Sequence, residues 1–314
     1  MKHSFGLEFD AFEEAMRGVD GRYTPVRRHR HDWEMQYLVL GDIEVMVCQN
    51  GGGSIYEGSC RLDNFGLFFP LTDIRSLVVD GRDIGKSTLT WLASGKDFTI
   101  YNSDVLRWVG ISVGSATVNH WMILDPEATQ MISPHHLIGN ASRAYLAALR
   151  DLVARLLAVH EHSPEALSPC TAVKASHDQL ARSIQEAMCT VMPPRQKMAG
   201  RPRLSPADIL RRATTFVDQR MSETVQIADL CKATGVSART LQKVFTEHFG
   251  LGPHRYLMLR RLKAIHETLQ GAEPNESIAS ICSRFGVWDF GRFASCYRQV
   301  YGVSPSSTRS GAMH

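Results

Sequence analysis

Residues 230–245 read LCKATGVSARTLQKVF. Leu230 and Cys231, with Ile227 upstream, fall on one face of a helix. Gly235 then ends that helix, because it supplies the left-handed conformation through which a chain leaves one. Val236 is placed to fill the wedge between helices. Ser237 is a good N-cap, whose hydroxyl accepts a free backbone N–H. Leu241, Val244, Phe245 and Phe249 give the next helix its buried face. Its other face is left with Arg239, Thr240, Gln242, Lys243 and Thr246. A helix, a glycine turn and a second helix with reaching polar side chains make a helix-turn-helix, whose second helix suits the DNA major groove. Arg and Lys match guanine acceptors or phosphate, and Gln pairs with adenine.

The plan occurs twice. Ile227, Leu230 and Gly235 correspond to Ile278, Ile281 and Gly286 at a shift of 51 residues. Leu241, Phe245, Phe249, Gly250 and Pro253 correspond to Phe293, Tyr297, Tyr301, Gly302 and Pro305 at a shift of 52. The slip of one residue lies in or just after the turn, so one supersecondary unit is used twice. In the second copy Ala279, Ile281, Cys282 and Phe285 are the expected packing set and Asp289 the expected cap. Arg292, Ser295, Arg298 and Gln299 are left for the exposed side. Phe290 and Gly291 take early positions there, which predicts more phosphate contact and less base discrimination. Between the copies, PHRYLMLRRLKAIHETLQG reads as one helix with Pro253 in its first turn and Gly271 at its end. Its length of about 27 Å approaches the spacing of about 34 Å between successive major-groove faces.

Charge agrees with that reading. The 314-residue chain carries a net charge of only +3. From Arg201 onward it holds 16 Lys and Arg against 9 Asp and Glu, whereas residues 1–200 hold 19 against 23. A basic C-terminal third suits a polyanionic partner. Apolar residues make up 44% of the chain, enough for two cores. No apolar run approaches the roughly 18 residues of a membrane span, and the N-terminus lacks a secretory pattern. The seven cysteines include no CxxC pair and read as reduced thiols, so a cytoplasmic protein is expected.

The first twenty residues suggest a short amphipathic helix with Phe9, Phe12 and Met16 on one face. Trp33 to about Gly114 is rich in short β-type runs bounded by Gly, Pro, Asp or Asn, which suggests a small barrel or sandwich. After Asp125 the pattern turns helical, with apolar stripes at 145–157 and 173–191. MPPRQKMAGRPRLSP has no periodicity and reads as a linker. The expected fold class is therefore α+β in two domains. Residues 1–192 form the sensing and dimerisation part (β-rich at about 30–120, helices at about 141–191), 193–204 the linker, and 205–314 an all-α tandem helix-turn-helix domain.

IADLCKATGVSARTLQKVFTEHFGLGP and IASICSRFGVWDFGRFASCYRQVYGVSP resemble the paired helix-turn-helix domain of AraC/XylS transcription regulators. Gly286, Phe293, Tyr297, Gly302 and Pro305 stand at that family's signature positions. Two departures are Ile265, where a small Ala is common, and Thr308, where an aromatic usually precedes Arg309. The arrangement looks most like the branch that includes ethanolamine-operon regulators. The resemblance implies a one-component regulator, more often an activator. It further implies a cupin-like N-terminal β-barrel that senses a small-molecule effector, helices that form a homodimer, and promoter DNA and RNA polymerase as partners. By family position Arg239, Gln242, Lys243, Arg292 and Ser295 are the expected DNA contacts, and Ser237, Thr240 and Arg298 of the same two units are expected beside them.

Other constellations are less specific. Trp33, Trp91, Phe98, Arg107 and Trp108, with Tyr101, are the candidates for a ligand pocket, since aromatics with a few polar anchors build such sites. His29, His31 and Glu34 in HRHDWE are similar to part of the cupin metal motif. A standard cupin has one or two more residues before the Glu, and His120 is the sole later candidate. The stretch therefore reads as a solvated strand edge, and no metal or other cofactor is expected. GGG at 51–53 lacks a phosphate-binding pattern and reads as a turn. No catalytic Ser-His-Asp or Cys-His set is legible, so no enzyme is expected. The rival readings are a cupin-like metal-dependent oxygenase with a DNA-binding appendage and a constitutive architectural DNA binder.

Overall fold

The structure is a computed structural model that describes residues 2–6, 9–28, 31–73, 75–124, 136–192, 204–221, 223–271 and 276–311. The expected linker at 193–204 lies outside these except for Leu204, as does His29 of the HRHDWE stretch.

The N-terminal half carries twelve described strands in two sheets. The larger has the order β1 (Lys2–Ser4), β3 (Glu34–Leu40), β4 (Ile43–Asn50), β11 (Leu106–Gly114), β6 (Asn64–Pro70), β9 (Thr88–Leu92) and β12 (Leu137–Asn140). The smaller runs β2 (Val19–Pro25), β5 (Ser54–Cys60), β10 (Asp97–Asn102), β7 (Leu77–Val79) and β8 (Arg82–Asp83). All strand pairs are antiparallel. Neither sheet closes on itself, so the expected barrel is instead a two-sheet sandwich. Each sheet ends in short strands, β1 and β12 in one and β8 in the other, which leaves little edge to join into a ring.

Strand alternation divides the core into two layers. Met46, Cys48, Phe68 and Trp108 of the larger sheet meet Tyr23, Tyr56 and Phe98 of the smaller one. Val45, Leu67, Phe69 and Val109 point the other way, onto α2 (Ser115–Leu124), α3 (Arg143–His162) and α4 (Cys170–Cys189). The apolar stripes at 145–157 and 173–191 are this covering pair of helices. The helix expected in the first twenty residues is shorter, α1 (Phe9–Glu14), because β2 begins at Val19. Phe9 and Phe12 are buried as expected.

His177 on α4 ties the helical layer to the β3–β4 turn. Its Nε2 lies 2.8 Å from Asp42 Oδ1 and its Nδ1 3.0 Å from Asp178 Oδ1. Burial opposes the imidazolium, but the hydrogen bonds to Asp178 and Asp42 outweigh it and raise the His177 pKa. Burial likewise opposes the Asp42 charge, yet bonds from His177 and Thr117 hold its carboxyl below the usual range. A raised histidine pKa contributes stability that is full below the ordinary imidazole value and is lost as pH rises through the raised one. His177→Asn is therefore expected to destabilise the chain at pH 6 by up to about 1 kcal/mol, since the pair is partly solvated. The difference shrinks by pH 9, and denaturant midpoints at both pH values measure it.

The C-terminal half is helical: α5 (Pro206–Gln219), α6 (Ile227–Thr234), α7 (Ala238–Phe249), α8 (Pro253–Gln270), α9 (Ile278–Arg284), α10 (Phe290–Tyr301) and α11 (Pro305–Gly311). Two cores form, one around Leu230, Leu241, Phe245 and Tyr256, the other around Leu262, Ile265, Ile281 and Tyr297. Helix α8 contributes to both, Tyr256 and Leu257 to the first and Leu259 to Leu269 to the second.

Candidate DNA interface

The first unit is α6, a turn and α7. Gly235 has φ 72°, the left-handed conformation that the turn demands, and its N–H donates to the Cys231 carbonyl. The Ser237 hydroxyl accepts from the Thr240 N–H at 3.2 Å. Leu241, Val244, Phe245 and Phe249 are buried, while Arg239, Thr240, Gln242 and Lys243 are exposed. Gln242 Nε2 donates to Thr246 Oγ1 at 3.2 Å, and Lys243 lies 3.8 Å from Glu247. These are one-turn surface contacts that a DNA group can replace at small cost.

The second unit is α9, a turn and α10. Gly286 has φ 68°, and a Cβ there would strike the Thr224 side chain. Asp289 Oδ1 accepts from the Arg292 N–H at 2.9 Å. Arg292, Ser295, Arg298 and Gln299 are exposed. Ile281 and Cys282 are buried as expected, but Ala279 is exposed. Its place in the packing set goes to partly buried Ile278, one residue back on the helix. Sequence reading gave no contact role to Trp288, which is 72% exposed beside the cap, or to the exposed ring of Phe290 at the first turn of α10.

A family model described as a helix-turn-helix domain matches residues 230–311. The chain is 34% identical over 99 residues to the probable thc operon regulatory protein of Rhodococcus erythropolis, across 31% of this chain and 30% of that one. It is 31% identical over 98 residues to the XylDLEGF operon transcriptional activator of Pseudomonas putida, across 31% of this chain and 30% of that one. The C-terminal third is a helix-turn-helix domain similar to part of those two regulators. The match spans about 30% of the length of those curated relatives. Among solved structures, the AraC-like transcriptional activator CuxR aligns over 84% of this chain and 93% of its own, with 15% identity and a TM-score of 0.44.

The helix-turn-helix domain docks on the β-sandwich through the side of α8 and through α7, which packs on β10 and β7. Tyr256 Oη donates to Glu57 Oε1 at 2.8 Å. Arg260, with 7% of its side chain exposed, lies 3.3 Å from Glu57 and 2.8 Å from Asp218. Arg22 of β2 joins the same group at 2.8 Å from Asp218. Burial opposes the Arg260 charge, but Tyr256, Glu57 and Asp218 outweigh it and push its pKa up. One turn on, Lys263 Nζ lies 3.1 Å from Glu13 and 3.6 Å from Asp10 of α1, and 3.0 Å from Glu267. The His266 ring stacks on Tyr301 at 4.1 Å and packs near Phe9. Val26 touches both helical cores, and its carbonyl accepts from Arg255. The spacing of Tyr256, Arg260 and Lys263 marks one helical stripe, but only the fold shows what faces it. The side chains of Arg239, Thr240, Gln242 and Lys243 on α7 and of Arg292, Ser295 and Arg298 on α10 remain exposed, while the Gln299 carbonyl of α10 accepts from the Arg28 N–H at 2.9 Å.

Within the sandwich a cavity of about 50 Å³ lies between the sheets. Phe98 and Trp108 line it. Trp33 is buried beside α1, next to Phe12 and Tyr23, outside the lining. Trp91 faces the helical layer against Phe65 and Trp121. Arg107 is exposed. Of the HRHDWE group, His31 is exposed.

Proposed function

We propose that the chain is a cytoplasmic, effector-responsive regulator that places α7 and α10 in successive major grooves of promoter DNA. The observation that carries this reading is the arrangement around α8. Two reading faces stand exposed, while the other side of the same helix is held by a domain with an internal cavity. An effector that favours one arrangement of the halves shifts their populations and so DNA affinity. The family resemblance supports an activator that works as a homodimer with RNA polymerase, with α3 and α4 as the dimerising helices. The described helices include none long and apolar enough to cross a membrane.

Duplexes selected from a random library by the full chain, measured beside scrambled DNA across a salt series, test the assignment. Arg239→Ala or Gln242→Ala is expected to relax discrimination at particular bases by about 1–3 kcal/mol. Arg298→Ala should weaken all sequences alike and reduce the salt slope by about one. Unchanged discrimination in both α7 variants would show that α7 is not the reading helix.

A further inference from the structure

The ribbon formed by β2 and β5 has the cavity on one face and the DNA-binding half on the other. Along β5, Ile55 joins the core of the first helix-turn-helix, Tyr56 lines the cavity, and Glu57 bonds Tyr256 and Arg260. Along β2, Arg22 pairs with Asp218, and Tyr23 lines the cavity. Successive side chains of a strand point to opposite faces, so two short strands touch both places at once.

The lining is largely apolar, with Met16, Met46, Phe68, Leu92, Phe98 and Trp108. Its two amides are committed. Asn50 Oδ1 accepts from Trp108 Nε1 at 2.8 Å, and Asn50 Nδ2 donates to Asn102 Oδ1 at 3.2 Å. Asn102 Nδ2 donates to the Gly52 carbonyl at 2.9 Å. The Tyr56 hydroxyl differs. The residue is 3% exposed, and its oxygen has no hydrogen-bond partner among the described residues. Its ring lies over the cross-strand pair Gly21 and Gly58, where a Cβ on either would run into it. A buried hydroxyl left unpaired is costly and calls for an explanation. Burial also pushes its pKa up, so it stays a neutral phenol.

We propose that this cavity binds a small, uncharged, mostly hydrocarbon molecule with one oxygen or nitrogen that pairs with the Tyr56 hydroxyl, and that the β2–β5 ribbon passes its occupancy to α8. The proposal rests on the reading of the chain as an effector-responsive regulator. The one ionic side chain on the lining is Arg17, which is exposed and lies over the Tyr37 ring at 4.9 Å. A charged ligand would shed its hydration with no counter-charge inside. The volume is about a third of the roughly 150 Å³ that holds benzene. The ligand therefore widens the site by moving Met16 and Met46, whose unbranched side chains adapt readily.

The probes are cyclohexanone and cyclohexanol, set against cyclohexanecarboxylate and cyclohexylamine, on the full chain. Near saturation a neutral probe is expected to raise the thermal midpoint by about 2–4 °C, and the charged pair to leave it in place. Tyr56→Phe should weaken cyclohexanone roughly three- to tenfold. Gly58→Ala, which presses on the Tyr56 ring, should weaken it as well. The neutral probe should also change affinity for a selected duplex in the wild-type chain. The assignment is overturned by equal shifts with the carboxylate, by unchanged binding in Tyr56→Phe, or by no shift with either neutral probe. Probe binding without any change in duplex affinity would overturn the transmission through the ribbon. Failure to select any duplex would instead overturn the regulator reading, since the midpoint shift needs no DNA.

Discussion

Glu57→Ala is expected to remove about 3–5 kcal/mol from the free energy that holds the two halves together. The carboxylate accepts from Tyr256 and sits 3.3 Å from Arg260 and 3.5 Å from Arg22. Without it, Arg260 stays buried with Asp218 as its remaining carboxylate. A charge stranded in this way costs far more than the intact pair contributes. The chain has an escape that a single-domain core lacks: the halves can part, and water then solvates Arg260. The loss therefore appears as an opened molecule as well as a lower midpoint. Small-angle scattering should show a larger radius of gyration, and calorimetry a separated transition for the helical half. Replacing the pair by apolar residues of similar size, Glu57→Leu with Arg260→Met, should recover most of the docking. An unchanged radius and midpoint in Glu57→Ala would show that the halves are not held by this contact.

Phe245→Ala is expected to cost about 3–5 kcal/mol in the first helix-turn-helix. Phe245 is fully buried, with ring centroids 5.5 Å from Phe249 and 5.2 Å from Tyr256. Helix α6 has eight residues and α7 twelve, too short to persist in water without that core. Local unfolding there displaces Arg239 and Gln242, the proposed reading side chains, together. Selective DNA binding should then fall as a whole, whereas Arg239→Ala changes selectivity and leaves the midpoint in place. Urea denaturation followed beside DNA binding separates the two. A Phe245→Ala chain with wild-type stability would mean that the core around Tyr256 is not packed as described.

The helix-turn-helix units were legible because their signals are local. Gly235 and Gly286 carry positive φ, Ser237 and Asp289 cap the next helix, and the spacer runs from Pro253 to Gln270 as read. Helical spacing alone places Ala279 in the packing set, whereas the repeat points to Ile278, the counterpart of Ile227, and Ile278 is the residue that packs. In the N-terminal half most strands announced themselves, but their partners did not. Strand β11 lies between β4 and β6, and both pairings join segments far apart along the chain, Trp108 opposite Cys48 and Val109 opposite Phe69. Strand β2 went unread since VDGRYTP has few apolar residues, and its outward Arg22 meets a protein partner where water would be assumed. Trp91 and Trp108 looked alike as sequence. Strand phase alone turns one toward the helices and the other toward the cavity. The Glu57–Arg260 contact joins residues 203 apart, and nothing local in either strand or helix names the other.

Helix α8 enters both helical cores without a break. One residue added within it would turn the second unit by about 100° and carry it about 1.5 Å further along. Such a change spoils the pairing of α7 with α10 and detaches Lys263 from α1 in a single step. Substitutions on the exposed faces of α7 and α10 disturb neither. On the proposed function, descendants of this chain are thus free to acquire new target sequences one side chain at a time, while the distance between the two halves of each target is inherited nearly unchanged.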